Sequence, residues 1–88
     1  MNYIIKTDEI DFEIEVKKVS DNIVDRLVSY RKQLHMTQQD IADATGIQRA
    51  NIARIEGKKH AVTLESLVKY ANCLNMELYM DIREKSIL

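Results

Sequence analysis

The sequence predicts a mainly α fold, a bundle of four to five helices with short N- and C-terminal β-strands. Three observations predict it. The 88-residue chain has no proline and two glycines, Gly46 and Gly57, which favours long regular elements and makes each glycine a punctuation mark. Between Ser20 and Asn75, apolar residues recur at three- and four-residue steps, the period of an amphipathic helix. Outside that stretch they alternate with polar residues, the period of a half-buried strand.

The elements follow in order. Ile10, Phe12, Ile14 and Val16 alternate with Asp11, Glu13, Glu15 and Lys17. The alternation favours a strand or an ordered arm over residues 1–19, while Ile10 and Ile14, four apart, also allow a helix. Ser20 is suited to N-cap a first helix, in which Ile23, Leu27, Tyr30 and Leu34 form a stripe widened by Val24 and Val28. Thr37 and Asp40 have the spacing of a capping box and open a second helix, with Ile41, Ala42 and Ala44 on its buried side. Gly46 closes it, being the residue best able to adopt positive φ. A third helix begins near Gln48, carries Ile52 and Ile55 inward and stops at Gly57. Thr63 caps a fourth, with Leu64, Leu67, Val68, Ala71 and Leu74 on one face, ending at Asn75. Met76, Leu78, Met80 and Ile82 then alternate with polar residues as a C-terminal strand. The expected organisation is an acidic arm at 1–19, a helical domain at 20–75, and a strand and tail for dimerisation at 76–88.

Charge is unevenly spread. Residues 1–25 hold three basic and seven acidic side chains, residues 26–62 seven basic and three acidic, and residues 63–88 three basic and four acidic. A net charge of −1 therefore conceals a basic middle, and the distribution matters more than the sum for a polyanionic partner. The single cysteine, Cys73, cannot form an internal disulfide, which points to a reducing compartment. Neither a signal peptide nor a run of about 18 apolar residues is present, so a cytoplasmic location without a membrane partner is expected. His35, His60 and Cys73 lack metal-ligand spacing. No nucleophilic triad or phosphate-cradling glycine loop is found. Neither an enzyme nor a cofactor is expected.

The informative block runs from Gln38 to Gly57. Two short helices around a glycine turn pack nearly perpendicular only if a small residue lies at their approach, supplied by Ala42, and apolar residues line the inner sides, supplied by Ile41, Ile47, Ile52 and Ile55. With Thr37-Gln38 ahead of the second helix, Ala42 four residues before Gly46, and Ile55-Glu56 followed by Lys58, residues 23–74 resemble the Cro/repressor (Xre) family. The resemblance implies a lambda-repressor-like helix-turn-helix bundle whose third helix enters the major groove. Thr45 departs from the apolar residue often found before the turn glycine.

The same resemblance implies the site. Gln48, Arg49, Ala50 and Arg54 fall where base edges are read, and Asn51 lies beside them. The chemistry agrees, since Arg bonds guanine bidentately, Gln bonds adenine, and an alanine methyl meets the thymine methyl. Thr37 and Gln38, at the start of the second helix, and Lys58 and Lys59, after the third, are expected on phosphates. Arg31 and Glu56 match positions that pair in related repressors. Met76, Leu78, Met80 and Ile82 are expected in a homodimer interface, because a lone strand needs a partner. A two-fold dimer would read a palindromic operator in double-stranded DNA. The order of helix-turn-helix, fourth helix and apolar strand also resembles HipB-like and HigA-like antitoxins, which implies a cognate toxin and repression of the protein's own operon; the acidic arm would then either meet a basic toxin surface or limit non-specific DNA binding. The alternatives are a stand-alone or phage-derived regulator, or a protein-interaction module that has lost DNA binding.

Overall fold

A computed structural model describes the backbone of residues 2–85 and the side chains of residues 12–85. Four helices occur in order: α1 (Asn2–Gln33), α2 (Gln38–Thr45), α3 (Arg49–Glu56) and α4 (Leu64–Cys73). The mainly α class stands. Among the described residues neither terminal strand forms.

The N-terminal difference is the larger one. Residues expected as a strand are the first half of a 32-residue helix that runs on without a break at Ser20. An edge strand leaves every second backbone group unpaired unless a neighbour supplies a ladder, whereas a helix satisfies its backbone internally. Among the described residues there is no such neighbour, and α1 contains neither glycine nor proline to interrupt it. Local ion pairs Lys17–Asp21 at 2.6 Å and Lys18–Glu15 at 3.9 Å reinforce it at helical spacing. Ser20 caps nothing. It is buried in mid-helix, and its Oγ accepts a hydrogen bond of 2.8 Å from the Val62 backbone N–H. That bond, with Lys17 Nζ donating to the Lys58 carbonyl at 2.5 Å, fastens the α3–α4 loop to the middle of α1.

At the other end, residues 76–85 follow an irregular path. Asn75 takes a left-handed turn at φ 59°, and Met76 N–H reaches back to the Ala71 carbonyl at 3.0 Å. Met76 and Leu78 are half-buried against the core. With no second strand among the described residues, alternation here serves to press two apolar residues inward.

The core is formed by Val24 and Leu27 of α1, Ile41 and Ala42 of α2, Ile52 of α3, and Leu67, Tyr70, Ala71 and Leu74 beyond. Burying each large apolar member contributes about 1.5–3 kcal/mol. The buried side of α4 is Leu67, Tyr70, Ala71 and Leu74, while Leu64 and Val68, expected inside, are exposed. Tyr70 takes their place because its hydroxyl has a buried partner, described below.

The turns show why α2 and α3 stand as they do. Asp40 N–H donates to Thr37 Oγ1 at 3.1 Å, and Thr37 N–H donates to Asp40 Oδ2 at 2.8 Å, a complete capping box. Gly46 sits at φ 77°, the left-handed region where a side chain is strained. Thr45 has its own part in the turn: its hydroxyl donates to the Ile41 carbonyl at 2.7 Å and accepts from Ile47 N–H at 3.1 Å. Gly57 is different. Its φ of −71° is helical, and the left-handed residue that ends α3 is Lys58, at φ 55°.

Candidate nucleic-acid interface

One buried carboxylate holds the reading head in place. Glu56, at the end of α3, accepts hydrogen bonds from Arg31 Nε and Nη2, both at 2.9 Å, in a bidentate fork. It also accepts from Gln38 Nε2 at 3.0 Å and from the Tyr70 hydroxyl at 2.6 Å. Arg31 donates its remaining arm to the Met36 carbonyl at 2.8 Å. The Arg31 and Glu56 side chains are only 11% and 8% exposed. All four helices therefore meet on one carboxylate, and the orientation of α3 against α1, α2 and α4 is set by directional bonds as well as by packing.

Electrostatics follow the contacts. Burial pushes the Glu56 carboxyl up, but the hydrogen bonds from Arg31, Tyr70 and Gln38 outweigh it and leave the group below its ordinary value. The bond to Glu56 raises the Arg31 guanidinium, against a smaller opposing effect of burial. Tyr70 is raised well above the phenolic range, first by burial and then by donating to Glu56. All three hold one charge state through the physiological range, as a fixed brace requires.

With Ile52 turned into the core and Ile55 half-buried, α3 shows solvent the side chains of Arg49, Ala50, Asn51 and Arg54. Two concavities flank it. Arg49 shares one with Arg31, Met36, Thr37, Gln38 and Gln39 at the start of α2. Asn51 and Arg54 share the other with Gln48, His60, Thr63 and Ser66. The structure thus brings Thr37, Gln38 and Arg49 together on one side, and Gln48, Asn51 and Arg54 together on the other. Gln48 N-caps α3 without a side-chain bond of its own, which leaves its amide free.

The remaining expected residues are divided. Gln38 spends one of its two amide N–H donors on Glu56, which leaves the second amide N–H and its backbone N–H to donate to a phosphate. Lys58 turns away from α3: its ammonium donates to Asp25 Oδ1 of α1 at 2.6 Å, and that bond raises its pKa. Lys59 is exposed. Among the four residues expected at a dimer interface, Met76 and Leu78 pack on their own core, while Met80 and Ile82 are exposed. Sequence reasoning missed Tyr70, Gln39, His60 and Ser66. For Tyr70 the usable signal is a polar-tipped aromatic on the same α4 face as Leu67 and Leu74.

A model of the helix-turn-helix family matches residues 27–79, from the second half of α1 to just past α4. The chain belongs to the Xre-type helix-turn-helix family. This helix-turn-helix protein is similar to the control protein C.SmaI of Serratia marcescens, 29% identical over 65 residues that cover 74% of this chain and 77% of that protein. No solved structure matches the chain closely. The helix-turn-helix is α2 and α3, and the protein is a DNA-binding transcriptional regulator. No helix among the described residues is long and apolar enough to cross a membrane. Cys73 stands apart from the interface: its thiol is pushed up by burial and donates to the Tyr70 carbonyl at 3.0 Å, a packing role.

Proposed function

We propose that this regulator is a sequence-specific repressor that binds a palindromic operator as a homodimer, with α3 of each protomer in the major groove. The outward set on α3, Arg49, Ala50, Asn51 and Arg54, carries the reading. An α-helix fits the major groove, and residues near its N-terminus reach base edges. Arg49 and Arg54 supply bidentate donors for guanine, Gln48 and Asn51 suit adenine, and Ala50 offers a methyl contact. Thr37, Gln38 and Lys59 lie beside that helix and meet phosphates, fixing register without reading sequence. Lys58 joins them only by giving up Asp25.

A gel shift on the protein's own upstream DNA tests this. Affinity that falls steeply between about 50 and 200 mM salt is expected, because cationic side chains displace counterions from the phosphates. Arg49→Ala removes discrimination at one base pair of each half-site and leaves the fold intact. Equal binding to the operator and to a scrambled duplex at every salt concentration overturns the reading.

The narrower reading is an antitoxin that represses its own operon. Its support is Met80 and Ile82, exposed beyond the core on the irregular C-terminal segment, a surface suited to a protein partner. Co-expression with the neighbouring open reading frame tests it. Relief of that protein's toxicity, lost on deletion of residues 80–88, supports the role, and unchanged toxicity removes it.

A further inference from the structure

Around the bonds that tie α1 to the body at Lys17 and Ser20, the apolar side chains Phe12, Val16 and Val19 stand in solvent. Phe12 is 63% exposed, and Val16 and Val19 are more than half exposed. These residues are not scattered. Phe12, Val16, Val19, Ile23, Arg26 and Tyr30 follow one another at steps of 4, 3, 4, 3 and 4. That 3.5-residue period is the seam of a two-stranded coiled coil. The seam lies to one side of the core-facing residues Ser20, Val24 and Leu27. It leads into a groove of about 350 Å³ whose lining includes Ile23, Arg26, Tyr30, Met76, Leu78 and Tyr79.

We infer that this seam binds a second copy of the chain through an antiparallel pairing of the two α1 helices. This deepens the homodimer of the proposed function and replaces C-terminal strands with α1 as its basis. The occupant follows from three features. A 3.5-residue seam interlocks with a helix of the same period, and α1 is the helix that has it. Charge sets the direction: a parallel pair would align two N-terminal halves that each carry seven acidic residues among the first 25, whereas an antiparallel pair separates them. Antiparallel register then makes the seam self-complementary. With the two-fold axis near Asp21, Val19 faces the partner's Ile23, and Val16 faces its Arg26. Phe12 reaches the partner's Tyr30 and enters the groove beneath it. Arg26, whose charge interrupts the seam, lies on the same edge as the partner's exposed Glu15, which turns an apparent defect into a register-setting ion pair. The surface is of the right order. Phe12 and Tyr79, 63% and 79% exposed, bring about 400–700 Å² of aromatic surface from two copies toward the roughly 1,200–2,000 Å² of a stable interface.

Sedimentation equilibrium of the full chain at micromolar concentration tests the inference, with far-UV circular dichroism reporting helicity. The wild type is expected as a dimer. Phe12→Asp and Arg26→Glu weaken it at least tenfold with α2–α4 intact, Arg26→Glu combined with Glu15→Arg restores it, and Ile82→Asp leaves it unchanged. A monomeric wild type, or a dimer broken by Ile82→Asp and indifferent to Phe12→Asp, overturns the seam. A charge-swapped double variant as weak as its parents overturns the antiparallel register. Operator binding is read separately: a monomer that still shifts its operator refutes the seam and the homodimer but leaves the reading of DNA by α3 standing, and a dimer that ignores its operator refutes the DNA-reading proposal alone.

Discussion

Replacing Arg31 with methionine tests the central brace. Arg31→Met keeps the side-chain volume and the helix propensity of α1, but leaves the Glu56 carboxylate buried without its counter-ion. Removing one member of a buried ion pair costs about 3–5 kcal/mol. Glu56 keeps its donors Gln38 and Tyr70 in the variant, which places the loss at the lower end, about 3 kcal/mol. The Met36 carbonyl also loses its donor. A chain of this length has a total stability of about 4–13 kcal/mol, so the variant stays folded over most of that range and becomes marginal only at its lower end. The expected fall in Tm is roughly 12–24 °C, read by circular dichroism at one fixed protein concentration because a dimer's Tm depends on it. Arg31→Met combined with Glu56→Leu removes both charges and is less damaged than the sum of the single variants, with a coupling of about 2–3 kcal/mol. A Tm loss below about 4 °C for Arg31→Met, equivalent to less than about 1 kcal/mol, would show that the carboxylate is hydrated and that α3 is held by packing alone.

The other expectations are narrower. Arg49→Ala and Arg54→Ala change exposed side chains, so each leaves Tm within about 2 °C while lowering discrimination between cognate and mutated operator by about 1–3 kcal/mol in competition gel shifts. Gly46→Ala places a Cβ in open space at φ 77°, so the loss is conformational only, about 1–2 kcal/mol by chemical denaturation; a neutral result would mean that the turn readily adopts another conformation. Ser20→Ala strips the Val62 N–H of its acceptor and costs about 1–3 kcal/mol, with faster hydrogen exchange expected in the α3–α4 loop. Stability should have a plateau in pH. Glu56 is held below its ordinary 4.5, so its contribution is complete above that value and is lost as pH falls through the lowered one. Tyr70 is held above its ordinary 10.0, so its contribution is complete below that value and is lost as pH rises beyond it. Thermal melts across pH should decline on both flanks, with Glu56→Gln flattening the acid side and Tyr70→Phe the alkaline side.

The helix-turn-helix itself was legible because its signals are local. A capping box spans four residues, Thr37 to Asp40, and a left-handed turn needs a glycine at one position, Gly46. The outward face of α3 follows once Ile52 is known to point inward, which its spacing already implies. The N-terminal segment was not legible in the same way. Alternation over Ile10–Val16 fits a strand only if another strand lies alongside, and a short stretch of sequence carries no information about a neighbour that the fold does not supply.

The sequence by itself determined where α2 and α3 begin and turn, and which side chains α3 shows, because capping, positive φ and helical period are settled within a few residues. Only the tertiary structure decided that α1 continues through Ser20, that Tyr70 displaces Leu64 and Val68 from the core, that Lys58 faces Asp25, and that Met76 and Leu78 fold inward. Each of these depends on a partner far along the chain: Val62 for Ser20, Glu56 for Tyr70, α1 for Lys58 and the C-terminal residues. A buried polar group goes where its hydrogen bond can be made, and that place exists only after the helices have packed.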